Sequence, residues 1–218
     1  MPTTVSSVHP QVACAPSHGA LSGVTASDPF RNRPIHLDQQ PLDRLIDGQP
    51  LHLRRLSLEQ KVLLVSQIAL AVHSAHTQGV LHRDLKPANV MVCEQALDSS
   101  PSQAGALRPV LMDFGLARDS LGPQRLTQTG VIMGTPHYMA PEQCRQSNSA
   151  TAKADVYSLG VIMYELLSGK VPFDSDSATD LMAKHMYEPV PPLQSLVPEI
   201  PSQLVDIVDR MLQKEPTK

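Results

Sequence analysis

The chain has 218 residues, of which 41% are hydrophobic and only 3% aromatic, with a formal net charge of −3; this suits one domain with a mainly aliphatic core. The acidic balance, with a pI near 6.3, excludes a general nucleic-acid binder, which needs many phosphate-neutralising cations. Cys14, Cys93 and Cys144 are too few and too scattered for a disulfide framework or a zinc site, and no apolar run reaches spanning length, so a soluble protein of the reducing cytoplasm is expected.

Residues 1–40 are rich in Ser, Thr, Pro, Ala and His, show no hydrophobic period, and contain neither Lys nor Glu. They lack the charged and apolar regions of a signal peptide and are read as a disordered leader. From Pro41 the pattern changes: Leu42, Leu45 and Ile46 make a short amphipathic turn ended by Gly48. Ser57 opens a long helix, with Gln60 placed as its capping-box partner. Val62, Val65, Ile68, Ala69, Val72 and Ala75 recur at helical spacing, and Gly79 can stop it.

Short apolar runs at Val80–Leu81, Val90–Val92 and Val110–Met112 read as strands. Between the last two lies a polar, turn-rich loop, CEQALDSSPSQAGALRP. Ala154 to Leu167 is apolar on most sides and is predicted to be a buried helix ended by Gly169. Asp180 to Met186 forms a shorter helix, followed by a Pro-rich stretch. Ser202 caps a last helix with Leu204, Val205, Ile207, Val208, Met211 and Leu212 facing inward. The predicted fold class is mainly α with a small β-hairpin layer, an α+β arrangement.

Three polar motifs interrupt this pattern: VLHRDLKPANVMV at Val80–Val92, LMDFGLARD at Leu111–Asp119 and GTPHYMAPEQ at Gly134–Gln143. A lone Asp-Phe-Gly is usually a turn and a lone Asn89 a loop hydrogen-bonder. All three in this order, each with fixed residues at fixed offsets, resemble the large C-terminal lobe of a Ser/Thr protein kinase. The spelling of the last motif, with ADVYSLGVIMYELLSGKVPF after it, is most similar to the bacterial eukaryotic-like type. The resemblance covers residues 41–218.

Phosphoryl transfer needs an aligned nucleophile, neutralised phosphates and a carboxylate near the hydroxyl proton. The resemblance implies ATP and Mg2+ as cofactors and a protein Ser or Thr hydroxyl as acceptor. It makes Asp84 the catalytic base or orienter and Lys86 the cation beside the transferred phosphate. Asn89 and Asp113 become the magnesium ligands. Arg83, Thr127 and Thr129 are then regulatory, a phosphothreonine ordering its loop against Arg83. Supporting roles fall to His82 and Phe114, which pack together, to Thr135, which bonds near Asp84 and Lys86, and to Asp155, which bonds the backbone around His82 and Arg83. Glu142 pairs in the family with an arginine that is expected beyond Lys218, so a loosened segment is expected here.

The family's small lobe is not recognisable. Gly19 and Gly23 do not make a glycine-rich loop, the first lysine is Lys61, and the first glutamate is Glu59. No phosphate-gripping Lys–Glu pair is assigned, and the lobe reads as truncated at both ends relative to the family. The alternative reading is a pseudokinase-like interaction module that transfers no phosphate. Either way an apolar roof near Leu81, Val90, Val92, Met112 and Phe114 is expected to face water, or to be covered by a small lobe or another protein.

Overall fold

The computed structural model describes residues 40–42, 56–94, 107–114, 136–145 and 151–215. The chain divides into two units, Met1–His36 and Leu37–Lys218, and every described residue belongs to the second. The expected leader therefore lies outside the described residues except for Gln40. The turn through Leu45 to Gly48 also lies outside them, but Leu42 is fully buried.

Helix α1 spans Leu58–Thr77. Ser57 and Gln60 close a reciprocal capping box, Gln60 N–H to Ser57 Oγ at 3.2 Å and Ser57 N–H to Gln60 Oε1 at 2.9 Å. Gly79, at φ +76°, lies just past its end. The buried stripe is Leu64, Val65, Ile68 and Val72. Leu64 was not expected there, and Ala69 is exposed, because the core sits slightly to one side of the predicted face.

Three antiparallel strands follow in the order β1 (Gln40–Pro41), β2 (Val90–Glu94), β3 (Leu107–Leu111). Val90 pairs with Leu111 and Val92 with Pro109, while Gln40 pairs with Val92. Val80–Leu81, read as a strand, is a loop, since no neighbouring strand meets it. The expected open roof is also corrected. Val90 and Val92 are 0% and 5% exposed and join Leu42 in the core, because a chain segment distant in sequence crosses β2. Of the five predicted roof residues only Met112 is exposed, at 36%; Val80 and Val110 add to it.

A 3-10 turn at Pro136–Tyr138 and the short helix α2, Pro141–Arg145, were not foreseen. Helix α3, Ala152–Ser168, is the centre of the lobe, with buried residues on every side. Thr151 caps its start and Gly169, at φ +76°, its end. α3 packs against α1, α2, the 3-10 turn and the later helices α5 (Leu193–Leu196) and α6 (Ser202–Met211). Helix α4, Ala178–Tyr187, is capped by Ser177 and packs against α2.

Two details of α6 depart from expectation. Its N-cap is Pro201, which makes no side-chain cap, with Ser202 already inside the helix. Ile207 is 40% exposed, leaving Val208 and Leu212 as the buried anchors. The architecture is the expected one, mainly helical with a small antiparallel layer at one edge.

Candidate active site

The loop between α1 and β2 carries the first motif. Asp84 is half-exposed, and its Oδ2 accepts from Lys86 Nζ at 2.9 Å and, more weakly, from Asn89 Nδ2 at 3.3 Å. Asn89 Nδ2 also donates to the Asp84 carbonyl at 2.8 Å. This ties both ends of a six-residue loop, and the 3-10 turn Pro87–Asn89 makes the close return possible. The amide nitrogen of Asn89 is thereby committed, so Oδ1 is the end left for a cation.

The hairpin brings in the second motif. Met112 N–H donates to the Asn89 carbonyl at 2.9 Å, extending the β2–β3 register by one bond. Asp113 follows directly, at φ +57°, which turns the chain away from the ladder beside Asn89. Asp113 is exposed and makes no ion pair among the described residues. Phe114 lies against His82, ring centroids 4.8 Å apart.

His82 is fully buried, and burial lowers its pKa below the usual histidine value. Its Nε2 lies 3.0 Å from the Met112 carbonyl, which can only accept. The ring is therefore neutral with its proton on Nε2, and Nδ1 is a buried lone pair without a partner.

Beneath the loop stands Asp155, 1% exposed, in the first turn of α3. Its Oδ2 takes the His82 N–H at 2.9 Å and His76 Nε2 at 2.7 Å, and its Oδ1 takes the Arg83 N–H at 2.7 Å. Three donors satisfy a carboxylate that would be costly to bury bare. Arg83 itself has φ +64°, a left-handed backbone that costs a non-glycine residue about 1–2 kcal/mol. Gln143 Nε2 holds the Arg83 carbonyl at 2.9 Å.

His76 and Gln143 are the residues that sequence reasoning missed. His76 sits in the last turn of α1, and nothing local marks it. Gln143 follows Glu142 directly in its motif, which is the one signal it offered. Glu142 is half-buried and is not without a partner. Thr127, Thr129 and Thr135 lie outside the described residues.

The structure holds together, within one loop and one hairpin, a half-exposed carboxylate, a lysine ammonium, an amide oxygen and a second carboxylate. No cluster of three or more His, Cys, Asp or Glu that could hold a metal is found among the described residues. Asn89 Oδ1 and Asp113 are oxygen donors of the kind that could hold a hard cation such as magnesium together with water or phosphate oxygens.

A family model for the protein kinase domain matches residues 37–218. The chain belongs to the protein kinase family. Curated relatives place it with the bacterial eukaryotic-like Ser/Thr kinases. It is 39% identical over 160 residues to "Probable serine/threonine-protein kinase PknB" of Lactococcus lactis, covering 73% of this chain and 23% of that protein. It is 37% identical over 177 residues to serine/threonine-protein kinase PknA of Mycobacterium tuberculosis, covering 79% and 37%. A third relative, the DNA damage-responsive serine/threonine-protein kinase RqkA of Deinococcus radiodurans, is 34% identical over 189 residues, covering 87% and 26%. The chain thus spans between about a quarter and about a third of these kinases' lengths.

Proposed function

We propose that this kinase-family lobe transfers the γ-phosphoryl group of ATP to Ser or Thr hydroxyls of protein substrates, with Asp84 orienting the acceptor. The convergence of Lys86 and Asn89 on Asp84 Oδ2, 2.9 and 3.3 Å away, carries this reading. It fixes one carboxylate oxygen and leaves Oδ1 to accept from a substrate hydroxyl. A carboxylate in that position orients the hydroxyl, whose proton leaves late in a loose transition state.

ATP with Mg2+, when bound, supplies the transferable group and neutralises its charge. In this reading Asn89 Oδ1 and Asp113 would hold the cation, and Lys86, while bonded to Asp84, would offer a further N–H to the transferred phosphate. The Ser/Thr specificity in the relatives' names supports the substrate class.

Regulation belongs to the same reading. Arg83 Nε is buried without a partner, which suits a guanidinium that receives a phosphate on Thr127 or Thr129. Thr135 is assigned to the same loop, and Glu142 to the segment beneath it. Residues 41–218 are proposed as the large lobe, behind a leader of residues 1–40, with a small lobe as partner over the Val80, Val110 and Met112 surface. Among the described residues no helix is long and apolar enough to cross a membrane, and we place the lobe in the cytoplasm.

The test joins the chain to the small lobe of a bacterial relative and supplies labelled ATP, Mg2+ and a generic protein substrate. Label on serine and threonine, abolished by chelation and weakened at low Mg2+ by Asp113→Asn, is expected. No label above background under any Mg2+ concentration would favour the pseudokinase-like module instead.

A further inference from the structure

Arg83 is held from both sides by buried side chains. Its N–H donates to Asp155 Oδ1 at 2.7 Å, and its carbonyl accepts from Gln143 Nε2 at 2.9 Å. The residue needs such support, because φ +64° is a conformation that arginine keeps only when its surroundings enforce it. Asp155 reaches it from α3 and Gln143 from α2.

Gln143 is 5% exposed and uses both ends of its amide. Its Oε1 accepts the Ala140 N–H at 3.1 Å while Nε2 donates to Arg83. The assignment of oxygen and nitrogen follows from the partners: a backbone N–H only donates, and a carbonyl only accepts. Leucine would make neither bond. An ionised glutamate would keep the Ala140 bond and set a second acceptor against the Arg83 carbonyl.

The Arg83 carbonyl belongs to the peptide plane that ends in the Asp84 nitrogen and Cα. Because that plane is rigid, fixing its oxygen fixes where the Asp84 side chain begins. Gln143 also ties that plane to Ala140, at the end of the chain segment that leads from Asp113 into α2. We propose that Gln143 is a positioning residue: it sets the Arg83–Asp84 peptide plane and couples the orientation of Asp84 to the seating of α2. The consequence for catalysis rests on the reading of Asp84 given above, whereas the coupling itself does not.

The test is hydrogen–deuterium exchange on the full chain, comparing the segment 81–86 with α1 and α6. In Gln143→Leu the loop should exchange about tenfold faster, as expected for loss of one buried hydrogen bond, with α6 unchanged. Gly160→Ala, which disturbs the α3–α6 contact instead, is the control for a plain loss of stability. Gln143→Glu gives the sharper readout. A buried carboxyl has a raised pKa, and once protonated it can donate to Arg83 while still accepting from Ala140. Loop protection in Gln143→Glu should therefore be low near about pH 8 and recover towards about pH 5.

His76, His82, Arg83, Asp84, Lys86, Glu142, Cys144 and Asp155, the titratable and charged groups around this loop, are common to the wild type and Gln143→Leu, which report their share at both pH values. Unchanged loop exchange in both variants, or loosening spread equally over α1 and α6, would overturn the proposal. So would a Gln143→Glu variant whose protection does not recover in acid. In the lobe-completed enzyme the same variants should lower kcat and leave KM for ATP nearly unchanged. An inactive wild type with the predicted exchange pattern would sink the proposed function and leave the positioning role standing.

Discussion

His185 is fully buried between Tyr157 and Phe173, with its Nδ1 2.9 Å from the Tyr157 hydroxyl. Burial first, and then the charge of Lys214, push its pKa down to about 3. The unfolded chain therefore takes up a proton near pH 6.5 that the folded chain refuses until about pH 3. This contribution to stability is complete above the unfolded value and is lost as pH falls through that window, at up to about 1.4 kcal/mol per pH unit. His137 also opposes protonation by its charge, while its backbone favours it. Melting followed from pH 7 to pH 4 should fall more steeply for the wild type than for His185→Gln, which cannot titrate. Equal slopes would mean that His185 is accessible to protons in the folded state. Lys214 completes the pocket. Its Nζ donates to the carbonyls of His185 and Lys184 at 2.8 and 3.3 Å and lies 4.3 Å from the Phe173 ring centroid. Burial lowers its pKa to about 8, against the opposing pull of Glu188 and Cys144. Lys214→Met keeps the stem and loses the ammonium, so urea unfolding should show a loss of about 1–2 kcal/mol; a neutral effect would show that the contacts only balance desolvation.

At the scale of elements, two contacts set how the helices meet. Gly160 faces α6 so closely that an added Cβ would lie 2.8 Å from Met211 Cβ and 3.1 Å from Leu212 Cδ2. The first of these is rigidly attached to backbone, so α6 must shift. Gly160→Ala should cost about 1–3 kcal/mol by overpacking, read from denaturant midpoints; a gain in stability would show that α6 is free to slide. At the start of α1, Ser57→Ala removes half the capping box and should cost about 1 kcal/mol. Helices with local punctuation were legible from sequence, as Ser57, Gln60 and Gly169 show, whereas the Thr151 cap was not read from it. The short α2 and α5 were not, because four or five residues carry too little period to read. β1 was missed for another reason: a two-residue strand exists only through its partner, Val92 and Met91. The same division runs through the site. Asp84, Lys86 and Asn89 lie within one loop, so their meeting follows from spacing. Asp113 joins them by hairpin register, which the flanking apolar runs foreshadow. His76 meets Asp155 beneath the loop across 79 residues of sequence, and Gln143 meets Arg83 across 60, separations that no local pattern encodes.

For the whole molecule, the large difference from expectation is the hairpin surface. Leu42, arriving from far upstream in the chain, joins Val90 and Val92 in the core, so the apolar area left exposed is smaller and shifted to Val80, Val110 and Met112. That shift leaves the chemistry proposed for the loop untouched, in which Asp84, steadied by Lys86 and Asn89, would orient the acceptor hydroxyl. The most direct measurement is γ-phosphate transfer by the chain joined to a relative's small lobe, at saturating Mg-ATP, for the wild type and Asp84→Asn. The substitution keeps shape and removes the charge and the proton acceptor. The rate is predicted to fall by roughly 10²–10⁴-fold, with the melting temperature little changed. Near-full activity in Asp84→Asn would contradict the role proposed for Asp84.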